Sequence, residues 1–326
     1  MRQPTLIAAA FAASLATVVG ANAQSYPSRA ITIIVPFPPG GPVDTIGRII
    51  GDRMRAAFGQ PVLIENQPGA SGSIGVGRAA RAAPDGYTLN LGNWTSHVGS
   101  PAIYPVGYDI VKDFEPVALL PLAPTLIVGK KALPASDLRE LIAWLKANPD
   151  KATSGTVGIG SPSHVSGIYF QNETGTRFQF VPYRGGAPLT QALVAGQIDM
   201  RIGAEASQTL SYLRGGEIKA FAVLARTRWA AAPDVPTIDE AGVRGLHIPL
   251  WNALWAPKGT PRDIIGKLNT AVVDALADAT VRQRMATIGF EIPAREQQTP
   301  EALAAFHQAE IDKWWPIIKA ANIKVE

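Results

Sequence analysis

Short apolar runs alternate with longer stretches of helical period along this chain. Residues 31–37 and 61–65 read as strands. Between them, residues 43–58 read as a helix: Ile46, Ile49, Ile50 and Phe58 share a face, while Arg48, Arg53 and Arg55 can reach water. A helix over 74–82 and a strand over 87–91 follow, then apolar runs at 117–122 and 125–128, broken by prolines. Asp137, with Glu140 three residues on, predicts the start of a helix reaching 147. Strands are predicted over 179–181, 198–202 and 220–225, with a short helix over 188–195. Thr260-Pro261 and Thr299-Pro300 each put a cap before a first-turn proline, predicting helices that end near 277 and 321. Strands alternating with helices make an α/β fold.

The first residues fall outside this pattern. Met1-Arg2 is a short basic start, residues 6–19 are apolar and rich in Ala, and Ala21-Asn22-Ala23 is a small-residue cleavage pattern. These are the parts of a secretory signal, and the apolar core is shorter than the roughly 20 residues a membrane span needs. Residues 1–23 are therefore expected to be removed on export. Taking 23 from 326 residues leaves 303, a length that favours two lobes over one core. The chain has no cysteine, so burial alone must stabilise the exported protein. Without Arg2 the 30 Lys+Arg become 29, against 26 Asp+Glu. These charges are scattered, with no basic stripe, so nucleic acid is not an expected partner.

The chemistry is concentrated in glycine loops. Pro38-Pro39-Gly40-Gly41-Pro42-Val43-Asp44 lies between a predicted strand and a predicted helix. Such a turn aims free N–H groups and the positive end of a helix dipole at one spot, which suits an anion; it equally suits a structural turn. Pro182-Tyr183-Arg184-Gly185-Gly186-Ala187-Pro188 repeats the arrangement. Ser71, in Gly69-Ala70-Ser71-Gly72-Ser73, is a hydroxyl donor or a helix cap. Ser161 and His164 lie in a third glycine-serine loop, but there is no Gly-x-Ser-x-Gly elbow and the four histidines lack metal-ligand spacing. No cofactor and no metal are expected, and an enzyme is disfavoured. Arg201, inside an apolar run, is costly unless paired, so it belongs either at a sheet edge or facing an anion in a cleft. Phe37, Trp94 and Trp251 are candidates for the walls of a ligand slot, with core packing as the alternative.

Taken together the motifs are more specific. Val35-Pro36-Phe37-Pro38-Pro39-Gly40-Gly41-Pro42-Val43-Asp44, Glu65-Asn66-Gln67-Pro68-Gly69-Ala70-Ser71-Gly72 and Ala83-Pro84-Asp85-Gly86-Tyr87 come first. Asp113-Phe114-Glu115-Pro116-Val117, Val181-Pro182-Tyr183-Arg184-Gly185 and Pro233-Asp234-Val235-Pro236-Thr237 follow, then Trp251 and Ala256-Pro257-Lys258-Gly259-Thr260-Pro261. In this order they resemble the periplasmic solute-binding proteins of tripartite tricarboxylate transporters, the Bug or TctC-like family, from Tyr26 to the C-terminus.

The resemblance implies a two-lobed Venus-flytrap fold with the ligand between the lobes. It implies lobe 1 from residues 24–121 and 225–326, and lobe 2 from 122–224. It implies a carboxylate held by one loop from each lobe, here Phe37, Pro39, Gly40, Gly41 and Asp44 facing Tyr183, Gly185, Gly186 and Ala187. Contacts to the other end of the ligand are implied for Ser71, Thr95, Ser96, Ser161 and His164. Gly203 stands where the family often has an Asp that receives a ligand amino group, which argues against an amino-acid ligand; Arg201 beside it suggests a second anion. The expected ligand is a dicarboxylate, aliphatic or aromatic and terephthalate-like. The expected partners are transporter membrane components, and the expected state is a monomer. A ligand-sensing subunit of a signalling system and, less favoured, a secreted hydrolase are the alternatives.

Overall fold

The computed structural model describes residues 26–248 and 250–321. The signal-sequence expectation falls on residues outside these. The strands form two five-stranded sheets. The first contains β1 (Ile31–Val35), β2 (Val62–Asn66), β3 (Thr88–Asn93), β4 (Phe114–Ala123) and, much later, β10 (Leu250–Pro257), in the order β2-β1-β3-β10-β4. The second contains β5 (Thr125–Lys130), β6 (Thr153–Thr156), β7 (Gln179–Pro182), β8 (Met200–Glu205) and β9 (Ile218–Val223), in the order β7-β6-β8-β5-β9. In each sheet three strands run parallel, and the other two include one paired antiparallel to both its neighbours, β10 in the first and β5 in the second. Only Pro124 separates β4 from β5, so the chain passes from one sheet to the other with almost no linker.

The helices are α1 (Pro42–Phe58), α2 (Ser73–Ala80), α3 (Ser100–Ile103), α4 (Leu138–Ala147), α5 (Pro162–Thr174), α6 (Gly186–Val194) and α7 (Ala206–Arg214). α8 (Arg262–Ala277), α9 (Ala279–Thr287) and α10 (Pro300–Ala320) complete the set. β1 shows why its residues are nearly all apolar: Ile31, Ile33 and Val35 pack with Ile46, Ile49, Ile50 and Met54 of α1, while Ile34 joins Val76 and Ala79 of α2 in another cluster. A strand covered on both faces must be apolar on both.

The prolines of β4, Pro116 and Pro121, are tolerated because β4 is an edge strand with a ladder on one side only. Asp137 caps α4 as expected, its carboxylate accepting from Glu140 N at 2.8 Å. Glu140, however, reaches back to the Ser136 amide and hydroxyl, one residue before the cap. Thr299 accepts from Ala302 N at 3.1 Å and starts α10. Thr260 does not cap α8; its hydroxyl donates to the Pro257 carbonyl at 2.7 Å.

Candidate functional site

The two sheets present the ends of their parallel strands to one cleft. On one side β1 runs through Phe37–Gly41 into α1, with Gly40 at φ +79° and Pro42 in the first turn of the helix. On the other, β7 runs through Tyr183–Gly185 into α6, with Gly185 at φ +118°. Both glycines have the left-handed backbone that a side chain rarely adopts. The first turns of α1 and α6 therefore line the same cavity, of about 420 Å³, with Asn93, Glu205, Leu250, Asn252 and Phe290. A second cavity of about 670 Å³ shares Gly40, Gly41, Pro42, Gly186 and Phe290 and adds Ala187, Thr190, Ser207, Gln208 and Tyr212. First-turn amides have no intrahelical partner, and two helix dipoles converging on one space favour an anion there.

Buried polar side chains organise both loops. Asp44 accepts from Gly40 N at 2.9 Å, from Asn66 Nδ2 at 2.9 Å and from Arg48 Nε and Nη2, each at 2.9 Å. Burial works to raise its pKa, but Arg48, the Gly40 amide and Asn66 outweigh it and hold the carboxyl below the usual range. Asn66 also donates to the Phe37 carbonyl at 3.1 Å, tying the loop to β2. On the other side Thr190 donates to the Gly186 carbonyl at 2.9 Å and accepts from Arg201 Nη1 at 2.9 Å. Arg201 is 3 % exposed and its Nε has no partner. Burial pushes its pKa down to about 10, against the attraction of Glu205, so it remains a cation at neutral pH.

This cleft can be set beside known proteins. The chain matches the family described as the tripartite tricarboxylate transporter family receptor, TctC, over residues 46–323. The chain belongs to this family. A curated Agrobacterium vitis relative, the UPF0065 protein in the TAR-I ttuE-ttuC' intergenic region, is 38% identical over 320 residues, covering 97% of this chain and 91% of its own. The solved structure of MatC from Rhodopseudomonas palustris with bound malate is 39% identical at a TM-score of 0.79, covering 90% of this chain and all (100%) of that one. A second R. palustris protein, solved with adipate, is 33% identical at a TM-score of 0.81, covering 92% of this chain and 99% of its own. The two-lobed α/β fold expected from the motifs is thus the fold of this TctC receptor, which belongs to a family of solute-binding receptors and not of enzymes.

Within the TctC receptor the implied site residues divide. Phe37, Pro39, Gly40, Gly41, Gly185, Gly186 and Ala187 line the cavities. Asp44 lies just behind them, its oxygens engaged as described. Tyr183 is half-buried against the core under α6 and α7. Trp94 and Trp251 are corrections to the slot-wall reading, because both are fully buried. Trp94 packs edge-on against Trp314 at 5.8 Å, and Trp251 Nε1 donates to Glu310 at 3.0 Å. Their apolar area favours the core over the cleft.

The residues implied at the far end of the ligand have local duties. Ser96 Oγ meets Asn93 N at 3.1 Å and His97 Nδ1 at 2.9 Å, and so positions Asn93, which does line the cavity. Thr95 opens the π-helical turn Thr95–Gly99. Ser71 donates to the Tyr104 hydroxyl at 3.4 Å. Ser161 caps α5, accepting from His164 N, and His164 Nδ1 accepts from Gly160 N at 3.1 Å. Gly203 faces Ser163 and Ser166 of α5.

Glu205, Asn93, Asn252, Gln208 and Phe290 are cleft residues that the motifs missed. Glu205, Asn93 and Asn252 lie at or near strand ends, Gln208 lies in α7, and Phe290 lies just after α9. Glu205 had one legible signal, a carboxylate closing an apolar strand.

Proposed function

We propose that this protein is an exported periplasmic receptor that captures a dicarboxylate and delivers it to the membrane components of a tripartite transporter. The observation that carries this is the meeting of two helix N-termini, one from each sheet, in one cavity whose wall holds no cation among the described residues. One carboxylate of the ligand lies between the α1 and α6 first turns. Two relatives support the class, since MatC is described with malate and a second R. palustris protein with adipate. We favour an aliphatic ligand over a terephthalate-like one, because burial of Trp94 and Trp251 takes both indole rings out of the lining and leaves Phe37, Tyr212 and Phe290. The lobes are 24–121 with 225–326, and 122–224; the sheet memberships support this division except at Leu122 and Ala123, which end β4 in the first sheet. The receptor works as a monomer that closes on its ligand.

The energetics are sufficient without an arginine clamp. A micromolar Kd corresponds to about −8 kcal/mol. Four or five hydrogen bonds to a charged group, each roughly 1.5–3 kcal/mol, exceed that before closure and immobilisation are subtracted. The test is a thermal-shift panel of aliphatic and aromatic dicarboxylates, amino acids, sugars and amines. Dicarboxylates are expected to raise the melting temperature; stabilisation by neutral or cationic solutes alone would refute the reading.

A further inference from the structure

Among the described residues the wall of the cleft holds one carboxylic acid and no Lys, Arg or His. Glu205 ends β8 and lines the smaller cavity, where it offers a carboxylate ligand lying alongside no positive charge. Its position is fixed from two sides. Gln208 Nε2 donates to Glu205 Oε2 at 2.9 Å, and the Gln208 amide packs so closely on Gly186 that a Cβ there would collide with it. The acid is thereby held at the first turn of α6, beside the proposed anion cradle.

Two observations give this acid a part in recognition. First, Gln208 spends a donor on Glu205, and the buried Arg201 cation lies four residues back on the same strand, with Thr190 as its hydrogen-bond partner. Burial raises the Glu205 pKa above the ordinary carboxyl value, and the Arg201 charge offsets only part of that. Second, Arg201 Nε, Ser207 Oγ and Gln208 Oε1 are buried without partners, so polar capacity around Glu205 is unspent. Unspent capacity at a cavity wall is what a bound polar group would complete.

We propose that Glu205 selects ligands carrying a hydroxyl next to the captured carboxylate, by accepting a hydrogen bond from it. This rests on the carboxylate-receptor reading and adds the substrate class, a 2-hydroxy dicarboxylic acid. The carboxylate sits on the α1 and α6 amides. The hydroxyl on the neighbouring carbon donates to a Glu205 carboxyl oxygen, so that an acid otherwise unmatched by the ligand gains a partner. An unsubstituted acid brings no donor and leaves the Glu205 carboxylate facing apolar carbon, a mismatch a built polar site rejects strongly. The same physics makes Glu205 a discriminator against a second carboxylate at this wall, so the distal carboxylate lies elsewhere in the cleft.

The test uses titration calorimetry on the full mature chain at pH 7.5. Each 2-hydroxy dicarboxylic acid of three to six carbons is compared with its unsubstituted parent, malate against succinate for example. At the preferred length the hydroxy acid is expected to bind about tenfold or more tightly than its parent. In Glu205→Leu the ratio is expected to fall to near one, with the parent acid bound at least as well as before. Glu205→Gln keeps shape and folding and is expected to lower the ratio several-fold. Equal or tighter binding of the unsubstituted acids, or a ratio that both variants leave unchanged, would overturn the proposal. So would binding of other carboxylates with none of these pairs, and in that case the carboxylate-receptor reading would stand. If no carboxylate bound at all, both would fall.

Discussion

Asp44 illustrates how little a residue's type says about its job. A carboxylate following a glycine turn could face a ligand or hold the turn, and the choice depends on what approaches it. Asn66 approaches from β2 and Arg48 from one helical turn on, and with the Gly40 amide they engage both oxygens. Asp44 is therefore a positioning residue. Asp44→Ala strands the Gly40 amide and the Asn66 donor, at a cost of about 1–3 kcal/mol, and should lower the melting temperature by several degrees. Asp44→Asn retains an acceptor for Gly40 and should keep ligand affinity within a few-fold while losing part of that stability. A large affinity loss in Asp44→Asn with full stability would instead make the carboxylate a direct ligand contact. Glu205 is the converse case, a residue of unremarkable sequence context that the fold carries to the cavity wall.

At the scale of elements, legibility followed local signals. α4 and α10 were readable because Asp137 and Thr299 cap them within a few residues of sequence. β10 was not, since Leu250–Pro257 is buried on both faces and lacks the alternation that marks a half-buried strand. Its place between β3 and β4 is a long-range pairing. β6, α7 and α9 were also missed, being short elements whose faces are set by neighbours. Gly203 gives a test at this scale. The residue has φ +75°, and a Cβ there would lie 2.9 Å from Ser166 Oγ and 3.4 Å from Ser163 Cα. Gly203→Asp is thus expected to lose about 1–3 kcal/mol by chemical denaturation and to gain no amino-acid binding. A stable Gly203→Asp that binds amino acids would show that β8 and α5 yield here, contrary to their close packing.

For the whole molecule, the clearest solution property is the pH dependence set by buried histidines. His97 is fully buried and stacks on Trp255 at 3.8 Å, and His307 donates from Nε2 to the His97 carbonyl at 2.8 Å. Burial holds His97 well below the ordinary histidine pKa, helped by His307, and burial also lowers His307 and His164. Above pH of about 6.5 these groups are neutral in both states and do not affect folding. Below it the unfolded chain binds protons that the folded chain refuses, so stability is lost as pH falls, by up to about 1.4 kcal/mol per unit for each histidine. Denaturation midpoints should decline from pH 7 to about 5.5; a flat or rising profile would mean that one of these rings is protonated in the fold. The sequence by itself determined the α/β class, the two glycine loops and the family, because turns, caps and ordered motifs are local and survive in one dimension. Tertiary structure alone decided that Trp94 and Trp251 belong to the core, that Asp44 serves the loop, and that Glu205 faces the cavity. Those outcomes depend on which distant surfaces meet, and burial and pairing have no value until they do.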